Sequence, residues 1–390
     1  MNHLRLRSII ILIVLLFTGL TGAVQAADPE RPFRIFDGKP KRIHLISNSH
    51  GGGGELHAYL KRMPGAEKIE FTAGGGGGFV GSCKANQLPG YLPKEKLTDS
   101  RPVIYVVYHA VDTLGRGFKQ PEKFMEQWDG ASLDKYIMAK TAATRMTEDE
   151  IEGALASMKY QVASATAAGI SLLIMSNTHF NTYGRGGASG MNGSEEVVRR
   201  WNATELGQRH PAVDVRTATA KVYPLCVNGD RFHTNTAAKS INAYHWFRTM
   251  CQWDGIEVPA WAKEMMDAAV AKEKAIRDVI QNIRLSPPGP YRVGDQVTIT
   301  WDCDPKVVPK ASIDFSPTAG MWAAQTIATN VEGGTFVWTI PEKITTEDHK
   351  RKFVSQNTVS ETCYLRVNAP PGYFRFTEIP FQIKTRETKP

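Results

Sequence analysis

The sequence lacks the features that mark several large classes of protein. Beyond residue 26 it contains no apolar run long enough to span a bilayer. The 47 lysines and arginines outnumber the 39 acidic residues, but the excess positive charge is spread along the chain without a long basic run. A mild and dispersed basic charge argues against nucleic acid as a partner, but it does not argue against an acidic polysaccharide.

Metal-binding and nucleotide-binding motifs are also missing. The histidines show no spacing of the HExxH kind and the cysteines form no CxxC pair, so we predict no bound metal. The glycines at 74–78 are not followed by Gly-Lys-Ser or Gly-Lys-Thr, which argues against a phosphate-binding loop. We therefore predict no cofactor.

Cysteine is scarce, with five residues in 390. An odd number leaves at least one thiol unpaired. Cys303 and Cys363 lie in strand-like segments and form the first predicted disulfide, and Cys226 with Cys251 is the second. The alternative is that all five cysteines, Cys83 included, are buried thiols.

Residues 1–26 have the composition of a secretory signal. Two arginines precede an apolar run at 9–17, and small residues follow up to Ala26. We expect this segment to be cleaved and the mature chain to be periplasmic or secreted. A membrane anchor is the alternative, but the apolar run is short and is followed by threonine and glycine residues.

Apolar strands alternate with helical patterns from about residue 42 to residue 215. The long helical segment at 147–169 begins with the hydroxyl of Thr147 and a run of acids, which is a helix-start signal. Strands separated by helices predict an α/β fold, with a parallel sheet covered on both faces. The predicted strands are 42–47, 68–74, 102–109, 170–177 and 213–218, and a further helix is predicted at 194–210.

The composition changes near the five residues Ser-Pro-Pro-Gly-Pro at 286–290, which read as a linker. Two helices are predicted before it, one following His233 and one at 260–284. Beyond it, short segments such as VTITW and CYLRV alternate with period two, which predicts an all-β sandwich. We therefore predict a signal peptide at 1–26, an α/β domain at 27–285 and a β-sandwich domain at 286–390.

Three tryptophans lie in this second domain, and each has two interpretations. The favoured interpretation places them in or near the core, and the alternative is an aromatic platform for sugar binding. The residues are Trp301, Trp322 and Trp338.

The stretch VNGDRFHTN carries an Asp and a His three residues apart, Asp230 and His233. A histidine can act as a general base while an aspartate fixes its tautomer and stabilises the imidazolium. The missing nucleophile is Ser49, which follows the first predicted strand and precedes four glycines. Because ligands bind at the carboxyl ends of parallel strands, we expect these residues to meet at one edge of the sheet, together with His109 and Asn177.

The order of Ser49 and Asp230-Arg231-Phe232-His233 resembles that of the SGNH (GDS-type) serine hydrolases. The block Ser47-Asn48-Ser49 corresponds to their Gly-Asp-Ser or Gly-Asn-Ser turn, with Ser in place of Gly. The resemblance covers roughly residues 40–255. It implies a flavodoxin-like three-layer sandwich and a catalytic triad of Ser49, Asp230 and His233. The implied activity is hydrolysis of acyl esters, above all O-acetyl esters on carbohydrate, through an acyl-enzyme.

The middle blocks of that family match less well. The glycine that supplies an oxyanion-binding N–H corresponds best to Gly81, and the asparagine expected after the third strand is absent. His109 or Asn177 is the candidate substitute donor. These departures keep a second hypothesis open, in which the chain is a catalytically weak or inactive carbohydrate-binding or cell-surface protein of the same fold. A metal-dependent phosphodiesterase is the third hypothesis.

The second domain resembles the Ig-like module of the yeast cell-wall Kre/Knh-type proteins. The residues that carry this resemblance are the segments from Gly294 to Trp301 and from Gly333 to Pro341. It implies attachment to a cell surface or polysaccharide and no chemistry of its own.

Overall fold

A computed structural model describes residues 31–47, 51–74, 100–108, 110–111, 145–180, 193–231, 233–318, 321, 324–347 and 353–386. Ser49, Gly81, Cys83, His109 and Trp322 lie outside these ranges. Ile35–Pro390 forms one compact unit. The four described residues before it, 31–34, contain no helix or strand.

The first part of the described chain alternates strands and helices, as the sequence pattern predicts. The strands form one five-stranded parallel sheet in the order β2-β1-β3-β4-β5. The strands are β1 (Lys41–Ile46), β2 (Ile69–Gly74), β3 (Val103–Val107), β4 (Leu172–Ser176) and β5 (Ala212–Val213). The helices are α1 (Gly53–Leu60), α2 (Glu148–Ala167), α3 (Ser194–Asn202), α4 (Glu205–Arg209), α5 (Val215–Ala220), α6 (Thr236–Asp254) and α7 (Ala260–Arg277).

Helices cover both faces of the sheet. On one face, the odd-numbered residues Tyr105 and Val107 belong to a buried cluster with residues of α2 and α3, including Met158 and Trp201. Tyr108 is even-numbered and belongs to the opposite face. Its ring contacts that of Trp246 in α6, with 5.8 Å between the ring centroids. The central strands β3 and β4 are buried along their whole length, which explains their unbroken apolar sequences.

Local hydrogen bonds explain where several of these helices begin. Thr147 and Glu150 form a reciprocal capping box at the start of α2, which confirms the predicted helix start. The predicted helix at 194–210 is two helices, because Thr204 caps a new one, α4. The predicted strand at 213–218 is wrong after its first residue, because Asp214 accepts from the backbone N–H of Thr217 and starts α5.

The remainder of the described chain is all-β. Its three sheets have the orders β10-β9-β14-β16-β7 (with β15 paired to β14), β11-β8-β6 and β12-β13. The strands are β6 (Gln281–Ser286), β7 (Tyr291–Arg292), β8 (Gln296–Asp302), β9 (Ala311–Ser316), β10 (Gln325–Val331), β11 (Thr335–Thr339), β12 (Lys343–Glu347), β13 (Phe353–Asn357), β14 (Ser360–Ala369), β15 (Tyr373–Phe376) and β16 (Phe381–Lys384). The helix predicted at 260–284 therefore ends earlier, and its last residues form β6.

The two larger sheets share one buried core. Residues of β8 and β11 pack in the same cluster as residues of β9 and β14, among them Ile299 and Leu365. Trp301 and Trp338 are only 4% and 5% exposed, so the prediction that they are core residues is confirmed. Two sheets that bury alternate residues against each other explain the period-two pattern of this part of the sequence.

The predicted disulfides are wrong. Cys226, Cys251, Cys303 and Cys363 are all free, and three of them are buried. Cys363 belongs to β14, while Cys303 follows β8 in a different sheet. A position in a strand fixes which face a thiol points to, but it does not bring two thiols within bonding distance.

Candidate functional site

The loop of residues 227–234, called the dyad loop here, brings Asp230 and His233 together. Val227 and Thr234 form a β-bridge at its base, and the N–H of Asn228 donates to the carbonyl oxygen of His233 at 2.7 Å. Both ends of the loop are therefore tied to each other. The three-residue spacing seen in the sequence becomes a tight turn.

Asp230 contacts His233 through both carboxylate oxygens. Oδ1 accepts from the backbone N–H of His233 at 2.9 Å, and Oδ2 lies 2.6 Å from the ring Nδ1. With Nδ1–H donated to the carboxylate, the neutral ring presents Nε2 as a proton acceptor. The side chains are about a quarter exposed, at 27% for Asp230 and 25% for His233, so the pair is accessible from outside.

Arg231 takes an uncommon backbone conformation between the two residues of the dyad. Its φ is +61°, in the left-handed region that residues other than glycine seldom adopt. Its N–H donates to the carbonyl oxygen of Asn228 at 2.8 Å, which closes the turn. The guanidinium stacks 3.5 Å above the ring centre of Tyr364, a residue of β14.

The all-β region also holds the backbone of the dyad loop. Arg366 of β14 donates to the carbonyl oxygen of Gly229, and it pairs with Asp314 of β9 at 2.6 Å. The N–H of Met321 donates to the carbonyl oxygen of Asp230 at 3.0 Å. The all-β region therefore fixes the loop that carries the acid–base pair, a role that no local sequence pattern indicated.

The predicted nucleophile Ser49 lies outside the described residues, but the chain is described up to Ser47 and again from Gly51. The N–H of Ser47 donates to the carbonyl oxygen of Gly74 at the carboxyl edge of the sheet. Gly52 is buried at the start of α1, and a Cβ added to it would lie 2.7 Å from the carbonyl oxygen of Lys239. Lys239 is in the first turn of α6, just after the dyad loop. The segments that flank both predicted catalytic positions therefore approach each other closely.

Asn177, a candidate oxyanion donor, is committed to other contacts. Its amide nitrogen donates to Asp214 Oδ1 at 2.9 Å and to Ser194 Oγ at 3.3 Å. Its Oδ1 accepts from the backbone N–H groups of Val215 and Arg216. These bonds use both amide hydrogens of a fully buried side chain. Asn177 ties β4 to the starts of α3 and α5 and has no hydrogen left for an oxyanion.

A buried Tyr–His pair lies at the same edge of the sheet. The hydroxyl of Tyr108, which follows β3, is 2.8 Å from Nδ1 of His179 and also accepts from the backbone N–H of His179. Both side chains are almost completely buried. The pair links the ends of β3 and β4, and we assign it to the support of that edge.

Sequence reasoning missed one more polar residue near the site, Asn242 of α6. It is completely buried, and within the described part of the chain neither of its amide atoms has a hydrogen-bond partner. On α6 it lies between Lys239, which meets Gly52, and Trp246, which meets Tyr108. The detectable signal was an asparagine on the apolar face of a predicted helix.

Asn242 provides the first prediction. Since a buried amide without partners costs about 1–3 kcal/mol, we expect Asn242→Leu, which keeps the branched shape of the side chain, to increase the free energy of unfolding. The measurement is urea denaturation followed by circular dichroism. The matched control is Asn235→Leu, which removes the cap of α6 and should be destabilising. Equal losses of stability in the two variants would contradict the prediction.

Two features are absent from the described ranges. No group of three or more His, Cys, Asp or Glu side chains there is placed to hold a metal ion. No helix there has both the length and the apolar character needed to cross a membrane.

No protein-family model and no curated protein matches this sequence.

Proposed function

We propose that this chain is an exported serine esterase of the SGNH type that hydrolyses acyl esters. The observation that carries the proposal is the Asp230–His233 pair, whose 2.6 Å contact leaves Nε2 of the imidazole as a base. The close approach of Gly52 to Lys239 supports it, because Ser49 is only three residues before Gly52.

The strand order supports the proposed flavodoxin-like fold. In sheets of order 2-1-3-4-5, ligands bind outside the carboxyl ends of the strands, at the point between strands 1 and 3 where the order reverses. The order here is the same, and Ser49 follows β1 directly. The proposed nucleophile therefore follows one of the two strands beside which ligands bind in sheets of this order.

The proposed reaction is a two-step acyl transfer. Nε2 of His233 takes the proton of Ser49 Oγ, and the oxygen attacks the ester carbonyl carbon. The intermediate collapses with loss of the alcohol, which receives the proton from His233. Water, deprotonated by the same imidazole, then attacks the acyl-enzyme and releases the carboxylic acid and the serine. Backbone N–H groups of Ser49 and Gly81, with His109 as a further donor, would hold the oxyanion.

The substrate class follows from the context of the site. We propose that the acyl group, above all acetyl, is carried by a carbohydrate, and that the all-β region is an Ig-like module for polysaccharide or cell-surface attachment. Two features support this proposal: the signal-like segment at 1–26 and the hydrogen bonds that join the all-β region to the dyad loop. A module in direct contact with a catalytic loop is well placed to present a polymeric substrate to it.

Labelling with a fluorophosphonate probe tests the proposal, since only an activated serine reacts with it. We expect the wild-type protein to be labelled, and Ser49→Ala and His233→Gln to lose the label. Ser240→Ala, which changes a buried serine of α6, is the matched control and should keep it. Labelling that persists in Ser49→Ala would exclude Ser49 as the nucleophile. An unlabelled wild-type protein would favour the alternative of an inactive carbohydrate-binding protein, which the absence of the expected asparagine after the third strand already keeps open.

A further inference from the structure

A partly enclosed cavity lies beside the dyad loop and does not belong to the proposed active site. Its volume is about 260 Å³. Its walls come from the segment before the loop, from the loop itself, from the end of α7 and from β15 with the residues after it. It therefore opens between the α/β region and the all-β region.

Three arginines line this cavity, Arg231, Arg277 and Arg375. Among the residues that line it, Glu378 is the one carboxylate, and it pairs with Arg375 at 3.2 Å. The lining side chains thus carry three positive charges and one negative charge, and a second carboxylate, Glu273, pairs with Arg277 at 2.9 Å from outside the lining. The remaining excess of one positive charge in a small cavity favours an anionic occupant.

Two of the guanidinium groups are held in fixed positions. Arg231 and Arg277 are 5% and 2% exposed. Their guanidinium carbons lie 3.5 Å above the ring centres of Tyr364 and Phe374, respectively. Arginine groups held in this way bind anionic oxygens without a further loss of side-chain freedom.

The charge on Arg277 is compensated by one carboxylate inside the protein. Its Nε donates to Glu273 at 2.9 Å, and another of its nitrogens donates to the carbonyl oxygen of Val227. Burial nevertheless lowers the pKa of Arg277 to about 10, and the positive charge of Arg375 acts in the same direction. The group stays protonated near neutral pH, and a bound anion would stabilise its charged form.

Apolar side chains form a further part of the wall, in addition to Tyr223 and Thr377. Pro224, Leu225 and Phe376 line the cavity beside the arginines. A ligand that filled it would therefore have an anionic group at one end and an apolar or aromatic group at the other.

We propose that this cavity binds a small organic phosphate, a phosphate monoester with an apolar or aromatic group. A phosphate monoester offers three terminal oxygens to the three arginines, and these oxygens accept the paired hydrogen bonds that guanidinium groups donate. A carboxylate offers only two oxygens. Among the lining residues, Arg231 is the one that belongs to the dyad loop, so a bound phosphate would contact the loop through this residue. The site does not depend on the esterase proposal.

Calorimetric titration of the full chain with phenyl phosphate tests the proposal. We expect saturable binding, with weaker binding of inorganic phosphate, which lacks the apolar group, and of benzoate, which offers only two oxygens to the arginines. Binding of benzoate as tight as that of phenyl phosphate would overturn the assignment to phosphate. Equal binding of inorganic phosphate would overturn the role of the apolar wall.

Charge variants locate the binding site. Arg375→Gln should weaken phenyl phosphate binding by about tenfold, because it removes a charged hydrogen-bond donor. Glu378→Gln should strengthen binding, since it removes the competing carboxylate. The matched control is Arg284→Gln, which breaks an exposed ion pair with Asp302 elsewhere and should leave the affinity unchanged. Circular dichroism establishes that each variant is folded. The proposal fails if the wild-type protein shows no saturable binding, or if Arg375→Gln and Arg284→Gln have the same effect.

Discussion

Asp230→Asn is expected to lower kcat for a short aryl acetate by about 10⁴-fold, while the chain stays folded. The asparagine keeps an oxygen to accept the backbone N–H of His233, so the turn persists. Its amide nitrogen, however, is a donor where the carboxylate accepted the hydrogen of Nδ1. The imidazole then adopts the tautomer that carries its hydrogen on Nε2. Because the protonated Nε2 has no available lone pair, it does not accept the proton of the serine.

The control for this prediction is Asp278→Asn, which alters an exposed aspartate paired with Lys274. Its kcat should match that of the wild-type protein, because surface ion pairs of this kind contribute little. Steady-state kinetics on the two variants, with thermal unfolding to establish folding, is the measurement. Near-normal turnover in Asp230→Asn would remove the dyad from the mechanism even if Ser49 reacts with a probe.

Arg366→Ala is expected to lower the free energy of unfolding by about 3–5 kcal/mol, because it leaves the carboxylate of Asp314 buried without its cation. Asp314 is 5% exposed, and it accepts from two guanidinium nitrogens of Arg366, at 3.0 and 2.6 Å. The same substitution removes the donor to the carbonyl oxygen of Gly229. In the molecules of this variant that remain folded, the dyad loop should therefore be less ordered.

Two measurements separate the two effects of Arg366→Ala. Urea denaturation gives the change in stability, and the low-field NMR signal of the hydrogen between Nδ1 of His233 and Asp230 reports the dyad itself. We expect this signal to broaden in Arg366→Ala and to persist in Arg284→Ala. Arg284→Ala removes an exposed ion pair and should cost less than about 1 kcal/mol. A similar stability loss in both variants, with an unchanged signal, would show that the all-β region does not hold the loop.

The dyad loop shows which contacts a sequence pattern predicts and which it does not. The spacing of Asp230 and His233 was enough to predict that they interact, because three residues form a single turn. The contact between Arg366 and Gly229 joins residues 137 positions apart, and no periodicity or motif connects them. Asn177 shows the same limit, since its position after a strand was predicted but the four groups that occupy its amide come from other elements.

The sequence alone determined the properties that depend on near neighbours along the chain. The alternation of strands and helices, the capping box at Thr147 and the period-two pattern of the all-β region all follow from local hydrogen bonding and from one buried face for each element. The tertiary structure decided the properties that depend on which surfaces meet. It tied the dyad loop to the all-β region, left four cysteines as free thiols and gathered three arginines around one cavity. The physical reason is that packing between distant segments is selected by the shape and charge of whole surfaces, which short stretches of sequence do not encode.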